Sequence, residues 1–426
     1  MQDNSLRLIV QSFIFILCAA ISTQAAQPNI VLFVADDFGR GSINALGAPE
    51  KYVRTPHLNN LVENGIHFTK GFTTASVCTP TRYAMLTGQY SWRSRLKSGV
   101  VNNSDPLLIS TETETLGKFL QKQGYQTAAV GKWHLGYKDH KFKDLLGVIK
   151  PGPNEVGFDY HFGVPNNLDD LHKVYIENDH IYELRSDKIK AWGESFYGGK
   201  PYKGYDATQR VCEEVMAFTT QKALDWMAKV PKEQPLFMYY AAAAVHHPIT
   251  PSAQNKGESG AGLYGDFIHD VDDSVGQFIE HLRKIGRLDN TLFIFTSDNG
   301  GDIPKRKDWP EYKAYEMGFH FNGANRGDKH SIYEGGLKVP MIVHWPRAIK
   351  NAASSDALVT TADFFSTISE IITGELPDPL KVAPDSFSFY NVLKEPKSRS
   401  HRSYLVHRDA PGRKAIRRGK WKLIDN

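Results

Sequence analysis

The stretch Asn29–Ala35 reads NIVLFVA, and no other part of the chain constrains the fold as strongly. A strand with one face in water alternates apolar and polar residues, so an unbroken apolar run marks a strand buried on both faces. Further runs of this kind occupy residues 126–130, 235–243, 291–296 and 339–345. Helical patterns fall between them. Thr111 and Glu114 read as a capping box ahead of Leu116, Phe119 and Leu120, with Gly124 as the stop. Phe267, Val271, Val275, Phe278 and Leu282 make an apolar stripe that ends near Gly286. Strands alternating with helices imply an α/β fold, a largely parallel sheet sandwiched by helices. The chain's 426 residues leave room for roughly two or three domains. At 41% hydrophobic and 23% charged residues it is no disordered chain. A net charge of +4 over that length excludes a nucleic-acid partner.

The N-terminus reads as an export leader over residues 1–26. Arg7 precedes an apolar run from Leu8 to Ile21, and small residues follow around Ala25 and Ala26. The run is short for a bilayer span and Gln11 interrupts it, so stable membrane insertion is not expected. The mature chain would then be periplasmic or secreted. Of Cys18, Cys78 and Cys212, the first leaves with the leader, and the other two could form one disulfide.

Ligands of open α/β sheets bind beyond the carboxyl ends of the strands. Asp36 and Asp37 follow the first run, Lys132 and His134 the second, His246 the third, and Asp298 and Asn299 the fourth. Each set alone is compatible with turn chemistry. Together they point to an active site. Asp36, Asp37, Asp298 and Asn299 are hard oxygen donors, which suit Ca²⁺ or Mg²⁺ and suit Zn²⁺ poorly. Residues 137–206 and 301–323 lack clear periodicity and are expected as long surface insertions. The second carries Lys305, Arg306 and Lys307 beside Trp309, Tyr312 and Tyr315. Near the end, residues 403–407 and 420–424 look like short strands.

Cys78 opens Cys78-Thr79-Pro80-Thr81-Arg82, and proline near a helix start lets the cysteine occupy a helix N-terminus. Free N–H groups and the dipole there favour an anion beside its side chain. The residue could be a thiolate nucleophile, or simply a small buried side chain.

The run Cys-x-Pro-x-Arg, followed by Leu86-Thr87-Gly88, resembles the signature of the type I sulfatases of the alkaline phosphatase superfamily. Other blocks of that family appear in order: ADDFG at 35–39, TPHLNNLVENGIHF at 55–68, GKWHLG at 131–136, SDNGG at 297–301 and RGDKHSIYEGGLKVP at 326–340. Phe38 stands where the family more often has leucine. The resemblance implies a mixed, largely parallel sheet in a catalytic domain over 27–375, then a smaller antiparallel subdomain that residues 376–426 only begin. It implies oxidation of Cys78 to 3-oxoalanine (formylglycine) by a maturation enzyme, with one Ca²⁺ held by Asp36, Asp37, Asp298 and Asn299 beside residue 78. It gives Arg82 the support of the aldehyde hydrate, Lys132 and Lys329 the sulfate oxygens, and His134 the hydroxyl that drives elimination. His246, in His246-His247-Pro248, would protonate the leaving alcohol, with His247 as its rival.

An exported hydrolase of sulfate esters follows as the leading expectation, with a sulfated carbohydrate as its substrate. A phosphate or phosphonate ester hydrolase of the same superfamily and a catalytically silent glycan-binding protein are the alternatives. The latter would replace Cys78 or His246, and neither is replaced.

Overall fold

An unbroken apolar strand needs two cores, and the structure supplies them. In the computed structural model, which describes residues 27–196 and 199–425, β1 (Asn29–Ala35) is buried along its whole length. Ile30, Leu32 and Val34 face one hydrophobic core, and Val31, Phe33 and Ala35 face the other. The leader reading falls on residues 1–26, outside the described residues. Among those described, no helix is long and apolar enough to cross a membrane.

The main sheet comprises β1, β2 (Ile66–Phe72), β3 (Gln126–Lys132), β4 (Tyr160–Val164), β5 (Ile176–Glu177), β6 (His180–Ile181), β9 (Leu236–Ala241), β10 (Thr291–Ser297), β11 (Met341–His344) and β12 (Ala353–Thr360). The intervening β7 (Ser186–Trp192) and β8 (Tyr202–Asp206) form a separate hairpin. The strand order is β12-β2-β11-β10-β1-β9-β3-β4-β5-β6. Its centre, β10-β1-β9-β3-β4, is parallel. β11 runs antiparallel to both neighbours, so the sheet is mixed and largely parallel as expected. All five apolar runs are strands in it. β2 and β12 escape a search for apolar runs because Lys70 and Asp356, both exposed, interrupt them.

Helices α1 (Pro56–Glu63), α2 (Cys78–Thr87), α3 (Leu116–Lys122), α4 (Val215–Lys229) and α5 (Gly262–Lys284) pack on the two faces. The α5 stripe from Phe267 to Leu282 is buried throughout. The capping reading for α3 is corrected. Its N-cap is Thr115, whose hydroxyl accepts from the Lys118 amide at 3.1 Å, while Glu114 pairs with Lys122 at 2.7 Å. A cap acts only at the residue flanking the first turn, and Thr111 lies too far upstream.

The two insertions are also corrected. Tyr137, Leu145, Ile149 and Phe158 are core residues, and the 137–206 stretch carries five strands. Residues 301–323 hold α6 (Pro310–Glu316) and bury Glu311, Ala314, Phe319 and Phe321. Irregular backbone hides periodicity without forcing a segment to the surface.

A short helix α7 (Glu334–Leu337) leads into β11, and α8 (Phe364–Thr373) covers one face. The C-terminal residues form an antiparallel sheet of β13 (Leu405–Arg408), β14 (Lys414–Arg418) and β15 (Trp421–Ile424). Its middle strand, KAIRR, is too charged to announce itself. This small sheet docks where the Ser76 amide donates to the Arg408 carbonyl at 3.1 Å, two residues from Cys78.

Candidate active site

Because the central strands are parallel, their carboxyl ends deliver polar residues to one edge. Asp36 and Asp37 leave β1, Lys132 closes β3, His134 lies two residues on, and Asp298 and Asn299 leave β10. Asp37 and His134 take left-handed conformations, φ +56° and +53°, which Asp and His tolerate better than most residues. Cys78 is the first residue of α2, as its proline two residues later suggested. The Lys329 loop is drawn in by close backbone packing. A Cβ on Gly300 would lie 1.8 Å from the Gly335 carbonyl oxygen, so only glycine fits there. That approach lets the Lys329 amide donate to the Gly301 carbonyl at 3.1 Å.

Three buried cations meet three buried carboxylates here. Arg82 donates to Asp298 Oδ2 from Nε at 3.0 Å and from Nη2 at 2.7 Å. Lys132 Nζ lies 2.5 Å from Asp36 Oδ2 and 3.6 Å from Cys78 Sγ. Lys329 Nζ lies 2.7 Å from Asp37 Oδ2, and Asn299 Nδ2 donates to Asp37 Oδ1 at 2.7 Å. One ligand atom each from Asp36, Cys78 and Asp298 falls within 4.8 Å of the others, as does a second set from Asp37, Cys78 and His246. Asp36 Oδ1 and Asn299 Oδ1 are buried and accept no hydrogen bond. Oxygen donors with open lone pairs fit a hard divalent cation.

Burial raises the Asp36 carboxyl to about 7, against the pull of Lys132. It would raise Asp37 too, but Lys329, His246 and Lys132 outweigh it and hold that carboxyl well below the usual range. Burial pushes the Cys78 thiol up to about 12, and Lys132 and Lys329 fail to offset it. Burial thus favours the neutral thiol over the thiolate at the unmodified residue. The disulfide expectation is overturned. Cys78 and Cys212 are both free, and Cys212 Sγ instead lies 3.2 Å from Lys173 Nζ.

With this geometry in hand, the chain can be set beside known proteins. Residues 28–374 match the family described as Sulfatase, and residues 325–425 match the C-terminal family of N-sulphoglucosamine sulphohydrolase. The chain belongs to the sulfatase family. It is an enzyme that hydrolyses sulfate esters. The N-acetylgalactosamine-6-O-sulfatase of Bacteroides thetaiotaomicron is 33% identical over 94% of this chain and 82% of its own length. The human N-acetylgalactosamine-6-sulfatase is 29% identical over 80% of the chain, which spans 61% of that longer relative. A solved Bacteroides thetaiotaomicron structure, described with the metabolism of multiple glycosaminoglycans, superposes with TM-score 0.86 at 30% identity, covering 94% and 88% of the two chains.

Within this sulfatase the two adjacent histidines part company. His246 Nδ1 lies 2.6 Å from the His247 carbonyl, so it carries the proton and leaves Nε2 facing Asp37 Oδ2 at 3.8 Å. His247 turns away, with Nδ1 2.6 Å from Glu311 and its ring stacked on Trp309 at 3.5 Å. Burial and the nearby lysines keep His246 neutral. Burial, then Lys132 and Arg82, do the same to His134, whose Nε2 donates to the Val101 carbonyl at 3.1 Å. Beside His134 opens a cleft of about 620 Å³ bordered by Asn102, Asn103, Asn166 and Asn167.

The ten residues singled out from sequence are gathered at this edge, Cys78 among them as both nucleophile and neighbour of the metal ligands. Thr79 and Glu311 were missed. Thr79 Oγ1 donates to the His134 carbonyl at 2.9 Å and accepts from the Val101 amide at 3.2 Å, tying α2 to the β3 loop. Its place beside Cys78 was a signal. Glu311, 64 positions from its histidine, gave none.

Proposed function

We propose that this sulfatase removes sulfate from a sulfated sugar of the glycosaminoglycan type, using Cys78 in its formylglycine form and one Ca²⁺. The observation that carries the reading is the meeting of three buried carboxylates and three buried cations at a cysteine that opens a helix. The names of the relatives support the sugar, and the Cys-x-Pro-x-Arg run supports the modification.

Asp36, Asp37, Asp298 and Asn299 would hold the Ca²⁺, which supplies positive charge to the sulfate group. Converted by a maturation enzyme, residue 78 supplies a hydrated aldehyde in place of a thiol too weakly acidic to attack at neutral pH. Arg82, paired with Asp298 and 3.5 Å from Asp36, keeps residue 78 beside a fixed positive charge. Lys132 and Lys329 bind the sulfate oxygens and take up the charge that moves onto them, an electrostatic role that dominates many sites of this kind. One hydroxyl of the hydrate would attack sulfur. His134, with Nε2 engaged at Val101 and Nδ1 without a hydrogen-bond partner, would take the proton of the other, so that the C–O bond to sulfate breaks, sulfate leaves and the aldehyde re-forms. His246 gives a proton from Nε2 to the departing sugar oxygen. A bound sulfate ester brings negative charge to a histidine that burial and two lysines now keep neutral, which favours that protonated form. The leader at 1–26 would carry the enzyme out of the cytoplasm, to the periplasm or beyond.

The test is a desulfation screen. N-acetylgalactosamine 6-sulfate, other sulfated monosaccharides and matching phosphate monoesters are offered to the matured enzyme and to Cys78→Ala. Release of sulfate from a sugar by the former alone is expected. Faster release of phosphate than of sulfate would overturn the reading.

A further inference from the structure

A cleft of about 740 Å³ between β2, β12 and the C-terminal sheet holds more cations than its carboxylates offset. Lys70, Lys338, Arg399, Arg417 and Lys420 border it, against Glu334 and Asp356. A sixth cation, Arg402, is already committed to buried Asp363 at 2.5 Å. Lys70 pairs with Asp356 at 2.9 Å, and Arg417 pairs with Glu334. Among the described residues, Lys338 and Arg399 have no ion-pair partner. Arg417 Nε, and Arg40 Nε close by, are buried without an acceptor. Lys338 lies among Arg40, Arg417 and Lys70, and burial together with these cations lowers its pKa. Like charges crowded in this way repel, and a ligand rich in anions relieves the repulsion.

The cleft also shares an edge with the catalytic groups. β11 is antiparallel to both β10 and β2, so β2 runs with β10 and ends on the same side. Phe72 closes β2 and borders the cleft. Cys78 lies six positions further along the chain, a span of at most about 20 Å. Lys338 follows α7, just beyond the loop that carries Lys329.

We propose that this cleft is an exosite for a sulfated glycan chain, holding the stretch of substrate beyond the sugar at Cys78. The inference rests on the sugar-sulfatase reading above. Cations strung along a concave groove match sulfates strung along a polymer. A lone sulfate ion is too small to span them, and a membrane surface is too flat to enter.

The test compares a 6-sulfated monosaccharide with an octasaccharide of the same sulfated sugar at low salt, using the full matured chain. Lys338→Ser is half-buried, so the exposed double variant Arg399→Ser/Lys420→Ser is made alongside it. Surface ion contacts of ordinary strength predict a KM for the octasaccharide raised roughly three- to ten-fold in the double variant, with the monosaccharide unchanged. High salt should erase the difference. Equal kinetics of variant and wild type on the octasaccharide, or equal losses on both substrates, would overturn the exosite. So would loss of binding to anionic phospholipid vesicles with octasaccharide kinetics intact. If wild type desulfates neither sugar, the sugar-sulfatase reading is what has failed. The exosite is then judged by retention of the octasaccharide in affinity electrophoresis, and equal retention by wild type and double variant refutes it.

Discussion

Replacing Asp298 with asparagine removes one charge at nearly constant volume, so its effect reports electrostatics rather than a cavity. Asp298 Oδ2 accepts two hydrogen bonds from Arg82, and both side chains are fully buried. In Asp298→Asn, three buried cations face two buried carboxylates. Breaking one partner of a buried pair costs about 3–5 kcal/mol. The retained amide oxygen still accepts from Arg82, so about 3 kcal/mol is expected. Unfolding entropy near 2.1 cal/mol/K per residue, over roughly 400 folded residues, converts this to a fall in Tm of about 3–4 °C. The second half of the prediction concerns metal. Ca²⁺ at about a hundred times its Kd should stabilise wild type by about 2.7 kcal/mol, again about 3 °C. With one carboxylate donor lost, Asp298→Asn should show little of that gain. The assay is thermal unfolding of chelator-treated protein, with and without added Ca²⁺. A variant that melts with the wild type and keeps the full Ca²⁺ response would refute both the pairing energetics and the donor set.

Intact-peptide mass spectrometry across residue 78, after co-expression with a maturation enzyme, should show a carbonyl in place of the thiol. Cys78→Ala should fold and release no sulfate, and full activity with an unmodified thiol would sink the mechanism. His246→Ala should slow hydrolysis of a sugar sulfate by about 10²–10⁴-fold, and of an activated aryl sulfate far less, because a nitrophenolate needs little protonation to leave. His247→Ala should lack that selectivity but lower Tm, since buried Glu311 loses its partner. If both substrates slow equally in His246→Ala, the proton comes from elsewhere. Burial lowers the pKa of His407 from 6.5 to about 3. With its folded value below its unfolded value, the contribution is complete above about pH 6.5 and is lost as pH falls toward 3. At pH 4.5 that loss amounts to about 3 kcal/mol, so His407→Phe should destabilise less steeply than wild type between pH 7 and 4.5 in urea titrations. Parallel pH profiles would show that His407 is not a source of the acid sensitivity.

What was legible in the sequence was what local pattern and short spacing encode. An apolar run such as Asn29–Ala35 can satisfy its side chains only between two cores, so the buried strands and the parallel architecture follow from it. Asp36, Lys132 and Asp298 could be placed at one edge because parallel strands end together. The C-terminal β14, the edge strand β12 and its neighbour β2 stayed hidden, because charged residues at exposed positions along them erase the strand pattern.

Tertiary structure decided the rest. That Thr115 rather than Thr111 caps α3 depends on where packing starts the helix. That Cys78 stays apart from Cys212 depends on where the fold sets each, the one beside Lys132 and the other beside Lys173. The choice between His246 and His247 turns on Glu311 and Trp309, which arrive from an insertion that had read as surface. Residue types and their order along strands are local properties, and a sequence carries them openly. How deeply Cys78 is buried, and which of the two histidines faces Asp37, is set by packing and by charges brought together across hundreds of residues, and only the folded chain supplies those.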